Sequence, residues 1–299
     1  MIKVDLHVHS RYSADASGTI PEILRYARSR QLDAIAVTDH DTFEGSLAAI
    51  KTRSEKDVQV IPGIELTIPA GEYGTHIIGL YIENRFPYPN IIDAVRGIKQ
   101  QGGIVVLPHP FRPGTGLLYN AGKGLITDEE VAYVLENVDY IEGLNLKDSS
   151  ENVARTLEFV RESGRPMVSG TDAHIPAEIG VVYCELESLD ALKKGAAAPS
   201  IVAYTRGEPP LSIDSLGQSL AGHGDEGGLK DRARKKIRRT GVKIIDAFPG
   251  AAMRAALKRR LRKMLAGSSR SRMEEIVKSP YRVKITRDER SRQVVLTKV

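Results

Sequence analysis

The chain has no tryptophan, a single cysteine (Cys184) and only 5% aromatic residues across 299 positions. One thiol cannot close an internal disulfide, so this is no disulfide-stapled scaffold, and a reducing compartment, the cytoplasm, is the expected location. No apolar run approaches the roughly 20 residues that span a bilayer. The first residues enter a strand-like run with no apolar signal segment, so no membrane partner is expected. Cys184 reads as a small core residue. What remains is ordinary for a soluble globular chain: 41% hydrophobic and 27% charged residues, with enough length to bury a real core.

The net charge of +5 conceals an asymmetry. Residues 1–204 carry 19 Lys+Arg against 28 Asp+Glu, a net −9, whereas residues 205–299 carry 24 against 10, a net +14. Such a split predicts two parts with different partners. An acidic part suits metal ions and a basic part suits phosphates.

Residues 1–204 alternate short apolar runs with amphipathic stretches. Strands are expected at 2–9, 33–40, 58–67, 75–82, 103–110, 139–145, 166–174 and 181–186. Several are near-continuous apolar runs, as in strands covered on both faces. Helices are expected at 19–31, 42–56, 89–102, 127–138 and 149–164, with "TDEE" and "SSEN" as capped starts. Repeated β-then-α units predict an α/β fold with a parallel sheet closed as a barrel. Beyond "RGEPPLS" the character changes. A Gly-rich stretch at 215–228 reads as linker, then two basic helices divided near "AFPG", then a terminal two-stranded hairpin.

Histidine is also scarce, yet its placement is systematic. Of seven histidines, six (His7, His9, His40, His76, His109 and His174) fall in or just past the C-terminal end of an expected strand. Asp15, Glu65 and Asp172 lie at the same ends. In a parallel barrel those ends open onto one face. A single such residue reads as a hydrogen-bonded structural group. Six imidazoles in one place need a cation, because desolvation and mutual repulsion oppose their clustering. Mixed imidazole and carboxylate donors suit Mn²⁺, Zn²⁺ or Fe²⁺. Nine ligands exceed one ion, so two or three are expected, a centre suited to phosphate-ester hydrolysis.

The ordered motifs "DLHVHS…D", "TDH", "GIE", "H", "HP" and "GTDAH" resemble those of the PHP (polymerase and histidinol phosphatase) superfamily over roughly residues 1–200. The resemblance implies a distorted (βα)7 barrel of PHP type, here with a basic, mainly helical C-terminal extension at 205–299. It also implies a trinuclear centre for phosphoester hydrolysis by metal-bound hydroxide. Carried over, His7, His9, Glu65 and Asp172 hold one ion. Glu65 bridges to a second ion, held also by His76 and His109. Asp15, His40 and His174 hold a third. Every position is filled, which argues for an active enzyme, and Asp172, His174 and Arg112 are its candidate catalytic residues.

Arg112 in "HPFR" reads either as a bidentate phosphate clamp or as a rim salt bridge. Lys147 and Arg11 are weaker versions of the same idea. Asp5 and Asp39 are expected to orient ligand imidazoles or backbone groups, and His223 to be a solvated loop residue. Residues 230–263 hold 14 Lys/Arg against Asp231 and Asp246. That run, with Arg234, Lys235, Lys236, Arg238 and Arg239, is either a solvated helical face or a phosphate-backbone clamp. It matches no standard nucleic-acid-binding motif and has few aromatics for base stacking. The leading expectation is a metal-dependent phosphoesterase acting on nucleotides or nucleic-acid ends. The alternatives are a small-molecule phosphomonoesterase and a non-catalytic nucleic-acid-binding scaffold. The oligomeric state is not legible.

Overall fold

β-branched runs separated by amphipathic helices fold into a curved sheet whose strands β1 (Ile2–Val8), β2 (Ala34–Val37), β3 (Gln59–Ile68), β4 (Thr75–Leu80), β5 (Ile104–Leu107), β6 (Tyr140–Asn145) and β7 (Met167–Gly170) lie side by side in chain order. The computed structural model describes residues 1–54, 57–195, 197, 199–204, 283–288 and 293–298. The segment after β7 returns to β1. The Asp172 N–H donates to the His7 carbonyl at 2.7 Å and the His9 N–H to the Ala173 carbonyl at 2.9 Å. The result is a nearly closed, distorted barrel.

The outer layer is α1 (Ile20–Ser29), α2 (Glu44–Thr52), α3 (Ile91–Gln100), α4 (Leu117–Gly122), α5 (Asp128–Asn137) and α6 (Ser150–Ser163). Caps set several starts. The Thr127 hydroxyl accepts from the Glu130 N–H while Glu130 Oε2 accepts from the Thr127 N–H, a reciprocal cap that fixes the start of α5. One apolar layer fills the barrel (Val4, Leu6, Ile78, Val106, Tyr140, Val168). Two others lie between the sheet and its helices.

The expected parallel sheet is corrected at two of the expected strands, that at 181–186, which runs antiparallel to β1, and β4 inside the barrel. β4 runs antiparallel to both β3 and β5. Only six residues, 69–74, join β3 to β4, too few for a crossover helix, so the chain turns back as a hairpin. His76, counted above among the C-terminal strand ends, stands instead at the start of β4, as it does within the expected strand 75–82. Because β4 is reversed, that start lies on the same rim as the C-terminal ends of its neighbours.

β8 (Val182–Leu186) adds antiparallel to β1, followed by β9 (Ser200–Tyr204), a strand the sequence pattern did not signal. A short helix α7 (Leu189–Lys193) joins them. The terminal hairpin β10 (Val283–Asp288) and β11 (Gln293–Lys298) pairs with β9 through β11, so the sheet continues across position 204. The linker, the basic helices, His223 and the cluster from Arg234 to Arg239 lie outside the described residues. Among the described residues, no helix is long and apolar enough to cross a membrane.

Candidate metal centre

β1 carries the first two histidines, and a slip in its register decides where they point. The pairing of β1 with β2 shifts between Asp5 and Val8. Below the slip, Val4 and Leu6 fill the barrel, whereas Val8 packs against α1 residues Ile20, Ile23 and Leu24. The alternation has inverted, which turns His7 and His9 inward. Beyond β2 the chain still tracks β3, with the Glu65 N–H donating to the Asp39 carbonyl and the Asp41 N–H to the Glu65 carbonyl. His40 therefore lies beside Glu65.

His7, His9, Glu65 and Asp172 form the buried heart of the cluster. His7 Nε2 is 3.0 Å from His9 Nε2, 3.1 Å from Glu65 Oε2 and 3.4 Å from Asp172 Oδ1. His9 Nε2 is 3.2 Å from the same Glu65 oxygen and 3.1 Å from the same Asp172 oxygen. Four tetrahedral ligands about 2.0–2.1 Å from one ion are themselves about 3.3 Å apart. The observed spacings are those of a donor set closed around a small cation. The other Glu65 oxygen, Oε1, lies 2.9 Å from His76 Nδ1 and 3.1 Å from His109 Nε2. Asp15 Oδ2 lies 3.1 Å from His174 Nε2 and 3.5 Å from His40 Nε2.

Ligand atoms also fall into sets of His40, Glu65 and His76, and of His9, His40 and His174. His40 thus faces two groups, where the resemblance assigned it to one. All nine candidate ligands converge. Their exposure grades from the buried first set to the third, where His40, His174 and Asp15 side chains are 23%, 24% and 53% exposed. The mouth of the site is on that side.

The buried ring nitrogens support a cation as the occupant. His40 Nδ1 and His76 Nδ1 are buried without a hydrogen-bond partner although Glu65 stands 3.5 and 2.9 Å away. Such orphaned atoms need an explanation, and a shared ion supplies one. Electrostatics point the same way. Burial opposes a charge on His7, yet the facing Asp172, Glu65 and Glu142 carboxylates hold its pKa well above the ordinary value. Burial likewise opposes a charge on His9, but Asp172 and Glu65 push its pKa up to about 9. Burial works against the Glu65 and Asp172 carboxylates, and the surrounding imidazoles still pull both well below the usual range. Burial takes His40 down to about 4, leaving a neutral ring at the mouth. Two buried carboxylates held in the charged form need positive charge beside them, from protonated imidazoles or from an ion that replaces those protons.

Outer residues orient this set. The Ser13 hydroxyl donates to Asp39 Oδ1 at 3.0 Å, lies 3.2 Å from His9 Nδ1, and accepts the His40 N–H at 2.9 Å. Asp39 also accepts from the Ser10 N–H and hydroxyl. Asp5 accepts from the Thr171 N–H and hydroxyl and the Gly180 N–H, tying β1 to the segment after β7. Its pKa, raised by burial, stands at about 6. His109 and Asp172 hold left-handed backbone at φ 28° and 54°, at a cost of about 1–3 kcal/mol each. Gln31, Asp41 and Tyr81, which are not candidate ligands, share this backbone region.

Arg112 is held three ways. Its Nη1 donates to Asp172 Oδ2 at 2.6 Å, Nη2 to Asn145 Oδ1 at 2.6 Å and Nε to Asp148 Oδ1 at 2.8 Å. A salt bridge at the rim is therefore present, and it runs through a candidate ligand. Lys147 pairs with Glu178, whose other oxygen accepts the His174 N–H at 3.0 Å. Cys184 is a buried thiol, pushed up by burial. Glu142, Asn145, Asp148, Ser10 and Ser13 carry no metal motif and went unassigned in the sequence. Glu142 did leave a signal: a lone acid in the apolar strand "DYIEGLN" must find a partner if buried.

A family model described as the PHP domain matches residues 5–163, and a PHP-associated model matches residues 152–196. The chain is 32% identical over 123 residues to an uncharacterized protein of Methanocaldococcus jannaschii, a match covering 38% of this chain and 70% of that one. It is 33% identical over 87 residues to the 3',5'-nucleoside bisphosphate phosphatase of Chromobacterium violaceum, covering 29% of this chain and 30% of that enzyme. Among solved structures, a two-domain Bacteroides vulgatus protein containing a predicted PHP-like metal-dependent phosphoesterase superposes with a TM-score of 0.53 at 18% identity. The superposition covers 67% of this chain and 64% of that one, and the likeness is one of fold.

Proposed function

This chain belongs to the PHP domain family, and on that premise we propose that its metal-dependent phosphoesterase activity removes a terminal phosphate from a nucleotide or a short nucleic-acid end. The observation that carries the reading is the interlocked donor set, two imidazoles and two carboxylates with spacings of 3.0–3.4 Å. His7, His9, Glu65 and Asp172 would hold one divalent ion, Glu65 with His76 and His109 a second, and Asp15, His40 and His174 a third. Mn²⁺, Zn²⁺ and Fe²⁺ suit these donors.

Bound ions supply a water of lowered pKa and a clamp on the phosphoryl oxygens. The chain supplies direction. Asp15, His40 and His174, the least buried donors, would hold an ion at the mouth, where a phosphate could enter. The Ser13 and Asp39 bonds hold the His9 and His40 segments at fixed angles. Arg112 has N–H groups beyond the three already committed, and one of them is the donor for a non-bridging phosphoryl oxygen. His174, whose Nδ1 lies 2.8 Å from the Asp172 carbonyl, keeps Nε2 toward Asp15 and the mouth. Lys147, beside Glu178 on the same rim, adds positive charge for an incoming phosphate.

The Chromobacterium enzyme acts on a nucleoside bisphosphate, and its likeness to this chain supports a nucleotide as substrate. The +14 carried by residues 205–299 supports a polymer partner for that part, including Arg234, Lys235, Lys236, Arg238 and Arg239. We assign residues 1–204 the chemistry and 205–299 the phosphate backbone. A lone, buried thiol at Cys184 is compatible with the cytoplasm.

Phosphate release with Mn²⁺ from nitrophenyl phosphate, nucleoside mono- and bisphosphates and 5'-phosphorylated oligonucleotides tests the proposal. Preference for a nucleotide or an oligonucleotide supports it. Equal turnover of the chromogenic ester favours a small-molecule phosphatase, and no turnover of any substrate overturns it.

A further inference from the structure

Glu142 is a buried acid on β6 that the proposed reaction does not use. Its two oxygens reach two different candidate ligands. Oε1 is 3.0 Å from His7 Nδ1. Oε2 accepts the His109 backbone N–H at 3.0 Å and the Asn145 side-chain N–H at 2.9 Å. Asn145 in turn donates to Asp172 Oδ2 at 3.2 Å.

The fold is shaped for this arrangement. The register of β6 against β7 slips between Glu142 and Leu144. Residues 142 and 145, three apart, thereby meet on one face where a regular strand would send them to opposite faces. On β7, a Cβ at Gly170 would stand 2.5 Å from His7 Cβ and 3.2 Å from Glu142 Oε1, so glycine clears the space between them.

A carboxylate accepts hydrogen bonds and donates none. Facing Glu142, His7 must carry its proton on Nδ1, and the Nε2 lone pair is left for the cluster of His9, Glu65 and Asp172. At His109 the same carboxylate grips the amide of a residue whose φ of 28° is unfavourable for any side chain. That grip helps hold the strained backbone from which the His109 ring reaches Glu65.

We propose that Glu142 is a positioning residue for the metal centre, fixing the tautomer of His7 and the backbone of His109, so that one carboxylate aims donors at two ion sites. This rests on the metal reading of the proposed function. Glutamine cannot replace it, because its NH₂ would meet a donor at one of the two ends.

The test is metal titration of the full chain with Zn²⁺ and Co²⁺, comparing wild type, Glu142→Gln and Tyr140→Phe. Tyr140 is buried on the same strand, where its hydroxyl donates to the Leu192 carbonyl at 3.1 Å and accepts the Ala197 N–H at 3.1 Å, both outside the cluster. Glu142→Gln is expected to weaken ion binding by about 10- to 100-fold and to alter the Co²⁺ absorption bands. Tyr140→Phe is expected to lower the melting temperature with wild-type affinity and spectrum. Should Glu142→Gln not fold, ¹⁵N NMR of the Zn²⁺-loaded wild type reads the tautomer directly, with His7 protonated on Nδ1. Wild-type affinity and spectrum in Glu142→Gln, or a His7 proton on Nε2, overturns the proposal. A wild type that binds no ion refutes the metal reading itself, a separate outcome.

Discussion

Arg112 Nη1 donates to Asp172 Oδ2 at 2.6 Å, while the other Asp172 oxygen faces His7 and His9 at 3.4 and 3.1 Å. The arginine therefore bears on the candidate metal site as well as on the proposed phosphate contact. Arg112→Ala should cut kcat/KM by about 10²-fold, the scale of removing one transition-state donor. It should also weaken ion binding, because Asp172 loses its anchor. Steady-state kinetics and an ion titration on the same preparation check both. Normal values in both would make Arg112 a structural residue only.

Metal binding should release protons. Without metal, His9 keeps its proton up to about pH 9. An ion binds only the neutral ring, so at pH 7–8 that proton must leave. Affinity should rise about tenfold per pH unit for each proton displaced and flatten above about pH 9. Calorimetric titration in buffers of different ionisation enthalpy measures the release, with at least one proton per chain expected. A binding enthalpy independent of buffer contradicts it.

Gly45 gives a test of the support beneath His9. A Cβ there would stand 1.7 Å from Asp39 Oδ2 and 2.5 Å from Ser10 Oγ. Gly45→Ala must displace Asp39 from Ser10 and Ser13. Thermal unfolding should show a loss of about 1–3 kcal/mol, and ion affinity should fall with it. Unchanged stability and affinity would mean that the Asp39 network is dispensable.

The basic part can be tested without truncation. A chain ending at residue 204 would lose β11, the partner of β9, and confound charge with folding. Neutralising Arg234, Lys235, Lys236, Arg238 and Arg239 to Gln avoids this. The salt dependence of single-stranded oligonucleotide binding should become shallower by about 0.7 in slope for each phosphate that is no longer neutralised. Turnover of nitrophenyl phosphate should stay the same. An unchanged slope would remove this segment from any phosphate clamp.

The convergence of the candidate donors was legible because histidines and acids are chemically distinct and fall at strand ends. His7, His9, His40, His109 and His174 were placed by that logic alone. His76 was placed on the correct rim for the wrong reason, since a strand's direction depends on the length of the preceding turn and only residues 69–74 reveal that β4 reverses. The inward turn of His7 and the meeting of Glu142 with Asn145 were not legible. Both depend on register slips in β1 and β6, which arise from pairing with distant strands and leave no period in the local sequence. The six-residue α4 escaped notice because it is too short to show a helical period.

The most direct test is the count of tightly bound metal per chain after Mn²⁺ loading and gel filtration, in wild type and in Glu65→Ala. Glu65 places one oxygen with His7 and His9 and the other with His76 and His109, so its loss should empty two sites together. The expected result is two or three ions in wild type, at most one in Glu65→Ala, and phosphoesterase activity lost with them. Less than one ion per chain in loaded wild type, or full occupancy without Glu65, would contradict a multinuclear centre.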